Sequence, residues 1–305
     1  MIYKARTIPR ELEVYQLLNS RKNLLDNERK HLYALQKGYE GELLFDNVTS
    51  SVTKAECLIL NDLLLPHNKN TFQIDSLIIV PETIYIVEVK NFEGDYFFEK
   101  DRLYTSIPPH SEITNPLIQL NRSESLFRQL LQQLGSNMTI QSYVVFVNPE
   151  FTLYQAPIIK QIVYPGQINK FLKSISPISL RLDNNHYLLA DKLKSLHNPN
   201  APFYFPPTYQ YDELQKGIPC SYCDSLEFTT KGSYCYCSVC SKKETMEKRI
   251  LRIVQHFAML FPEMKITTNA IFDWGSGKLA KRVIRRVLQQ HLNTKGVHQW
   301  SYYEF

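Results

Sequence analysis

Apolar residues along the chain fall into stretches of two periods, and their order predicts the architecture. From residue 11 to 47 the apolar positions, among them Leu12, Tyr15, Leu32, Leu35, Leu43 and Leu44, read as helical, with Gly38 and Gly41 near the turn that ends at Glu42. Glu56 to Leu65 is strand-like and stops at Pro66. Phe72–Val80 and Ile84–Lys90 are rich in isoleucine and valine and flank Pro81-Glu82-Thr83, a hairpin signal. Tyr96–Phe98 and Arg102–Thr105 form a further candidate pair. Asn115-Pro116 predicts a helix start, because proline is tolerated at the first helical position, and the apolar residues from there to Leu134 lie mostly on one face. Ser142–Val147 and Ile158–Tyr164 read as strands, with helices near 166–174 and 186–196. This order gives an α/β domain over residues 1–197.

Beyond it the pattern changes. Asn198 to Pro219 holds five prolines and several tyrosines, so 198–217 reads as a linker or extended arm. A cysteine-rich module follows at 218–241. Lys243–Phe261, Thr267–Trp274 and Lys278–Leu292 are predicted helices, the last two separated by Gly275-Ser276-Gly277, and Val297–Phe305 is a short candidate strand. Together they make a basic helical segment over 242–305.

Composition narrows the function classes. Ten glycines and no GxGxxG or GxxxxGK[ST] run argue against a glycine-rich phosphate loop. No stretch approaches the length needed to span a bilayer, and Met1-Ile2-Tyr3-Lys4-Ala5-Arg6 lacks the apolar run of a signal peptide, so a cytoplasmic location without membrane attachment is expected. Net charge is +5, but from Ser241 onward twelve Lys/Arg stand against five Asp/Glu. All the excess positive charge therefore sits in the C-terminal fifth, which fits either a polyanion-binding surface or a solvated helical face.

The run Ile84-Tyr85-Ile86-Val87-Glu88-Val89-Lys90 carries the most chemistry. Strand side chains alternate, so Glu88 and Lys90 point the same way, and an ionised carboxylate among apolar residues needs a pairing cation. Asp75 lies in the facing strand. Were it directly opposite Glu88, the connecting loop would be even; a three-residue loop pairing Val80 with Ile84 would put the two on opposite faces unless a bulge intervened. Asp75, Glu88 and the Val89 carbonyl are hard oxygen donors suited to Mg²⁺ or Mn²⁺, with Lys90 placed to orient a water and stabilise developing charge. The plain alternative is a cross-strand ion pair.

Asp75 followed by Glu88-Val89-Lys90 resembles the PD-(D/E)xK nuclease signature. Gly38-Tyr39-Glu40-Gly41-Glu42, Gln73-Ile74-Asp75 and Asn115-Pro116-Leu117-Ile118-Gln119 make residues 35–150 similar to the nuclease-related domain (NERD) family of that superfamily. The resemblance implies a restriction-endonuclease-like mixed sheet flanked by helices. It implies Asp75 and Glu88 as metal ligands, Glu42 as a further carboxylate, Lys90 as the catalytic lysine and Gln119 as its support. Ile74 stands where the signature has proline, a position that varies within the superfamily. Arg122, one turn after Gln119, is a candidate phosphate contact, with a surface role the alternative; His67 and His110 read as background.

Cys220-Ser221-Tyr222-Cys223 and Cys237-Ser238-Val239-Cys240 form two CxxC pairs with the spacing of a zinc ribbon. Structural Zn²⁺ on four thiolates is the expectation; a redox dithiol or an iron–sulfur site competes, and Cys235 could replace Cys237. Lys278, Lys281, Arg282, Arg285 and Gln289 follow helical spacing on one face, with apolar residues on the other. With the glycine break and the terminal strand they loosely resemble a helix-turn-helix with a wing, which would contact DNA; a packed amphipathic helix is the alternative. The leading expectation is a metal-dependent deoxyribonuclease, endo- or exo-acting, targeted by its tail. An inactive nuclease fold that binds DNA, or a regulatory protein, is the runner-up, and a homodimer is conceivable because a duplex has two strands.

Overall fold

The isoleucine- and valine-rich runs form the middle of a mixed sheet. The computed structural model describes residues 1–52, 56–68, 70–175, 181–199, 205, 207–297 and 300–305. The chain divides into two units, residues 1–10 with 31–204, and residues 11–30 with 205–305.

In chain order the elements up to residue 196 are β1 (Ile2–Lys4), α1 (Arg10–Asn19), α2 (Asp26–Val52), β2 (Leu58–His67), β3 (Asn70–Ile79), β4 (Thr83–Lys90), β5 (Gly94–Glu99), β6 (Arg102–Thr105), β7 (Glu112–Ile113), α3 (Pro116–Gln133), β8 (Thr139–Phe146), β9 (Phe151–Tyr154), β10 (Ile162–Val163), α4 (Ile168–Ser174) and α5 (Asn184–Leu196). The six-stranded sheet runs β1-β2-β3-β4-β8-β10, and a smaller one runs β7-β6-β5-β9. β2–β3 and β3–β4 are antiparallel, whereas β4–β8 and β8–β10 are parallel. Alternation along β4 sends Ile84 and Ile86 to one face, with Leu120, Phe127 and Leu131 of α3 and Leu189 and Leu193 of α5. Tyr85, Val87 and Val89 go to the other, with Phe45 of α2 and Phe171 and Leu172 of α4. The sheet is therefore buried on both faces, which is why its strands read as nearly unbroken apolar runs.

One irregularity matters for the site. Leu58, Leu60, Leu77 and Ile79 face the same core as Leu63, Leu65, Phe72 and Ile74. The alternation thus slips by one residue in both strands, at Asp62 and Asp75, while the pairing stays in register. Asp62 takes a left-handed φ of 52° there. The slip frees Asp75 from ordinary ladder geometry.

Several expectations changed. The helical stretch expected over 11–47 forms as two helices, and Leu43 and Leu44 are exposed. β2 continues through Pro66, whose exposed position needs no donor. Ile158 is fully exposed, and only Ile162–Val163 of the predicted 158–164 strand forms.

The second unit explains why 207–217 is no free linker. Its elements are β11 (Phe228–Lys231), β12 (Tyr234–Cys237), β13 (Lys243–Thr245), α6 (Met246–Leu260), α7 (Thr268–Trp274), α8 (Lys281–His291), β14 (Asn293–Lys295) and β15 (Tyr302–Glu304). Tyr211 packs among Phe257, Phe261 and Trp274, and Tyr209 Oη donates to the Leu260 carbonyl at 2.7 Å. The Arg21 guanidinium lies 4.3 Å from the Trp274 ring centre and donates to the Gln215 carbonyl. These contacts draw residues 11–30 into the C-terminal unit, so the expected domain of 1–197 is discontinuous. Residues 200–204 and 206 of the predicted arm, and 298–299 of the predicted last strand, lie outside the described residues. Among the described residues no helix is long and apolar enough to cross a membrane.

Candidate functional site

The β3–β4 hairpin sets the register on which the acidic site depends. Ile79 pairs with Ile84, and Val80 and Thr83 exchange backbone hydrogen bonds, leaving Pro81-Glu82 as an even, two-residue loop. The ladder runs to Ser76 opposite Val87. The next pair in that register is Asp75 and Glu88, where the Val89 N–H donates to Asp75 Oδ2 at 2.8 Å instead of to a backbone carbonyl. The Val89 carbonyl points to the same edge as its N–H. Both carboxylates are buried, at 6% and 2% exposure.

A cleft of about 650 Å³ opens at this end of the sheet. Glu42 of α2, Asp75, Glu88, Val89, Lys90 and Gln119 of α3 line it together. Lys90 Nζ lies 2.7 Å from Glu88 Oε1 and donates to Gln119 Oε1 at 3.2 Å. Gln119 is held by the start of α3, where the Asn115 side chain accepts the Leu117 N–H at 3.0 Å and Pro116 occupies the first turn. Arg122 is exposed on α3 and does not line the cleft.

Two features lay outside the sequence reading. The Arg6 side chain is buried and donates to Glu42 Oε2 at 2.6 Å, to both Asp46 oxygens at 2.9 and 3.1 Å, and to the Asp75 carbonyl at 2.7 Å. It thereby captures the carbonyl that the strand slip leaves without a ladder partner. Glu42 and Asp46 are one helical turn apart, and two inward acids at that spacing demand a cation; nothing local identifies which. Second, Gly41 brings α2 against the end of β4: a Cβ there would stand 2.4 Å from Asn91 Cβ. Asn91 in turn donates to the Lys37 carbonyl at 2.7 Å.

The electrostatics are those of an acid cluster short of cations. Burial, then the Asp75 charge, lifts the Glu42 pKa to about 8 despite Arg6. Burial and Asp75 lift Glu88 to about 7 despite Lys90. Burial also raises Asp75, against the pull of Lys90, the Val89 N–H and Arg6. Burial opposes the Lys90 ammonium, but Glu88 and Asp75 outweigh it and hold its pKa above the usual value. Leaving buried carboxylates under-compensated costs several kcal/mol each, so this cluster works against the stability of the fold. The oxygen donors fit a divalent cation, which would restore the charge balance. Their ligand atoms are not all within 4.8 Å of one another; among the described residues only the four cysteines reach that span.

Those are Cys220, Cys223, Cys237 and Cys240. Sγ of Cys220 lies 3.6 Å from Cys240, and Cys223 lies 3.6 Å from Cys237. Metal–sulfur bonds of about 2.3 Å at tetrahedral angles require a separation of about 3.8 Å. The arrangement therefore fits zinc. The Cys240 N–H lies 3.5 Å from Cys237 Sγ, a hydrogen bond that favours the thiolate at that position. Cys235, also on β12, is fully buried and lies outside the group. The β11-β12-β13 ribbon is clamped to α6 by Glu244, which pairs with Arg249 at 3.1 Å and Arg252 at 2.7 Å.

The basic residues divide. Lys281, Arg282 and Arg285 lie on α8 and line a groove. Lys278 precedes α8, and its Nζ bonds the Leu226 carbonyl and Glu227. It therefore ties the ribbon to the helices instead of extending the basic face.

No curated protein and no solved structure matches the chain. Residues 37–147, which hold the acidic hairpin, Glu42 and Gln119, match the family model of the nuclease-related domain (NERD), a nuclease fold.

Proposed function

We propose that the chain is a Mg²⁺- or Mn²⁺-dependent nuclease that hydrolyses DNA phosphodiester bonds, guided by its zinc ribbon and basic helices. The observation that carries this reading is the even hairpin register that brings Asp75 and Glu88 together in a cleft with Lys90. Asp75, Glu88, Glu42 and the Val89 carbonyl would hold the divalent ion, which supplies charge neutralisation at a phosphodiester when bound. Lys90 would orient the attacking water and stabilise charge as it develops on the phosphoryl oxygens. Gln119 fixes the direction of the ammonium, and Arg6 fixes Glu42. Arg122 contributes at most a peripheral phosphate contact from its exposed position. Four thiolates leave zinc no open coordination position, so its role is to fold the ribbon. A cytoplasmic setting suits reduced cysteines, and all six are free thiols here.

The test is cleavage of duplex and single-stranded DNA with Mg²⁺ or Mn²⁺ by the wild type, Asp75→Ala and Lys90→Ala. Loss of at least a hundredfold in both variants supports the reading. Equal activity in all three preparations assigns the cleavage to a contaminant. DNA binding without cleavage in the wild type would favour the non-cutting alternative.

A further inference from the structure

The C-terminal helices and strands place an uncompensated cationic surface beside a hairpin. Tyr303 of β15 donates its backbone N–H to the Ile266 carbonyl at 2.9 Å, just before α7, while β15 also pairs with β14. α8 is thereby followed by a short hairpin whose outer strand returns to the start of α7. The helix buries Ile284, Val287 and Leu288 and exposes Lys281, Arg282, Arg285, Arg286, Gln289 and Gln290. It contains no acidic residue. Lys281 bonds Asn269 at 2.8 Å, whereas the side chains of Arg282, Arg285, Arg286 and Gln289 make no hydrogen bond or ion pair among the described residues.

A groove of about 570 Å³ runs along one side of this helix, lined by Arg282, Arg285, Gln289 and Thr294 among others, with no carboxylate. Arg286 does not line it. Positions 282, 285 and 289 share a helical face and span about 10 Å along the axis, the stacking height of roughly three base pairs. Arginine presents a fork suited to guanine, and glutamine pairs in the same two-pronged way with adenine. A neutral amide one turn beyond the two free guanidiniums adds nothing to attraction for phosphates, so its place on this face points to base edges.

We infer that α8 enters the major groove of B-form DNA and reads about three base pairs through Arg282, Arg285 and Gln289, with the β14–β15 hairpin flanking the backbone. A-form RNA is disfavoured, since its major groove is too deep and narrow for a helix. This deepens the proposed DNA-guided activity by giving the tail a sequence preference, and it rests on that reading only for the identity of the polymer.

The experiment selects a randomised duplex library on the full chain carrying Asp75→Ala, with zinc retained, and compares Gln289→Ala and Arg286→Ala on the same background. Enrichment of a short motif is expected. Gln289→Ala should lower discrimination at one position by about tenfold while leaving the salt dependence of binding unchanged. Arg286→Ala should keep the motif. Sequence-neutral duplex binding, tighter binding to single strands or RNA, or an unchanged motif in Gln289→Ala would overturn the inference. A cleavage failure in the wild type would leave this result standing, so the two readings fail separately.

Discussion

Arg6 meets Glu42 at 2.6 Å across 36 residues of sequence, and yet the carboxyl keeps a pKa near 8. One guanidinium shared with Asp46 and the Asp75 carbonyl does not balance the acids around it. The arrangement holds Glu42 in position without balancing the acidic cluster, the imbalance that the proposed divalent cation would relieve.

That imbalance has a measurable stability signature. With a folded pKa near 8 against an ordinary value of 4.5, the metal-free folded chain keeps a proton on Glu42 that the unfolded chain releases. Stability contributed by the group is therefore lost as pH rises from 4.5 towards 8. Glu42→Gln removes that loss, because Arg6 retains Asp46. At pH 7 the metal-free variant should be more stable than the wild type by about 2 kcal/mol, with the advantage shrinking towards pH 4.5. Mg²⁺ should narrow the gap by stabilising the wild type more than the variant, which lacks one of the proposed carboxylate ligands. Urea titrations at the two pH values, with and without Mg²⁺, decide it; a variant less stable at pH 7 would contradict the charge balance described.

Gly41 and Gly38 make a controlled pair on one helix. At Gly41 a methyl group would overlap Asn91 Cβ, whereas at Gly38 it meets nothing within 4 Å. Gly41→Ala should destabilise by about 2 kcal/mol and, by displacing α2 from β4, lower cleavage. Gly38→Ala should instead stabilise by about 0.5–1 kcal/mol through helix propensity. Thermal melts of both variants check the contrast, and equal effects would mean the close approach is not tight.

Much of this was legible in the sequence, for identifiable reasons. β3 and β4 were visible because burial on both faces leaves continuous apolar runs, and α3 because Asn115-Pro116 is a local start signal. Gly41 stood within a recognised motif, but its reason is a tertiary contact with Asn91. Arg6 was invisible because its partners are 36 to 69 residues away. Tyr209 and Tyr211 sat in a proline-rich segment that looked unstructured, and only the distant Phe257, Phe261 and Trp274 half-bury them in an aromatic cluster. Local periodicity marks elements; it carries no information about which remote side chain completes a charge cluster or an aromatic core.

The cysteines give a sharp chemical test. Cys220, Cys223, Cys237 and Cys240 converge, and Cys235 is buried apart from them. Elemental analysis should find one zinc per wild-type chain. Cys220→Ser should lose most of that zinc and lower the melting temperature, while Cys235→Ser keeps it. A chelator should reproduce the Cys220→Ser loss in the wild type. Retention of zinc in Cys220→Ser, or its loss in Cys235→Ser, would reassign the ligands.

His256 on α6 offers a pH test of the C-terminal unit. Its Nδ1 is buried and has no hydrogen-bond partner among the described residues. Burial, reinforced by the charges of Arg21 and Arg252, depresses its pKa to about 4 from an ordinary 6.5. The folded chain thus keeps the imidazole neutral where the unfolded chain takes up a proton. Stability is unaffected above pH 6.5 and falls as pH drops from 6.5 to 4, by up to about 3 kcal/mol. His256→Leu removes the titrating group and should flatten the pH dependence over that window by one proton's worth, whatever its effect at pH 7. Guanidinium denaturation at intervals between pH 7 and 4.5 measures the slope difference directly. Parallel slopes for the two proteins would show that protonated His256 is accommodated without penalty and that Arg21 and Arg252 do not oppose it.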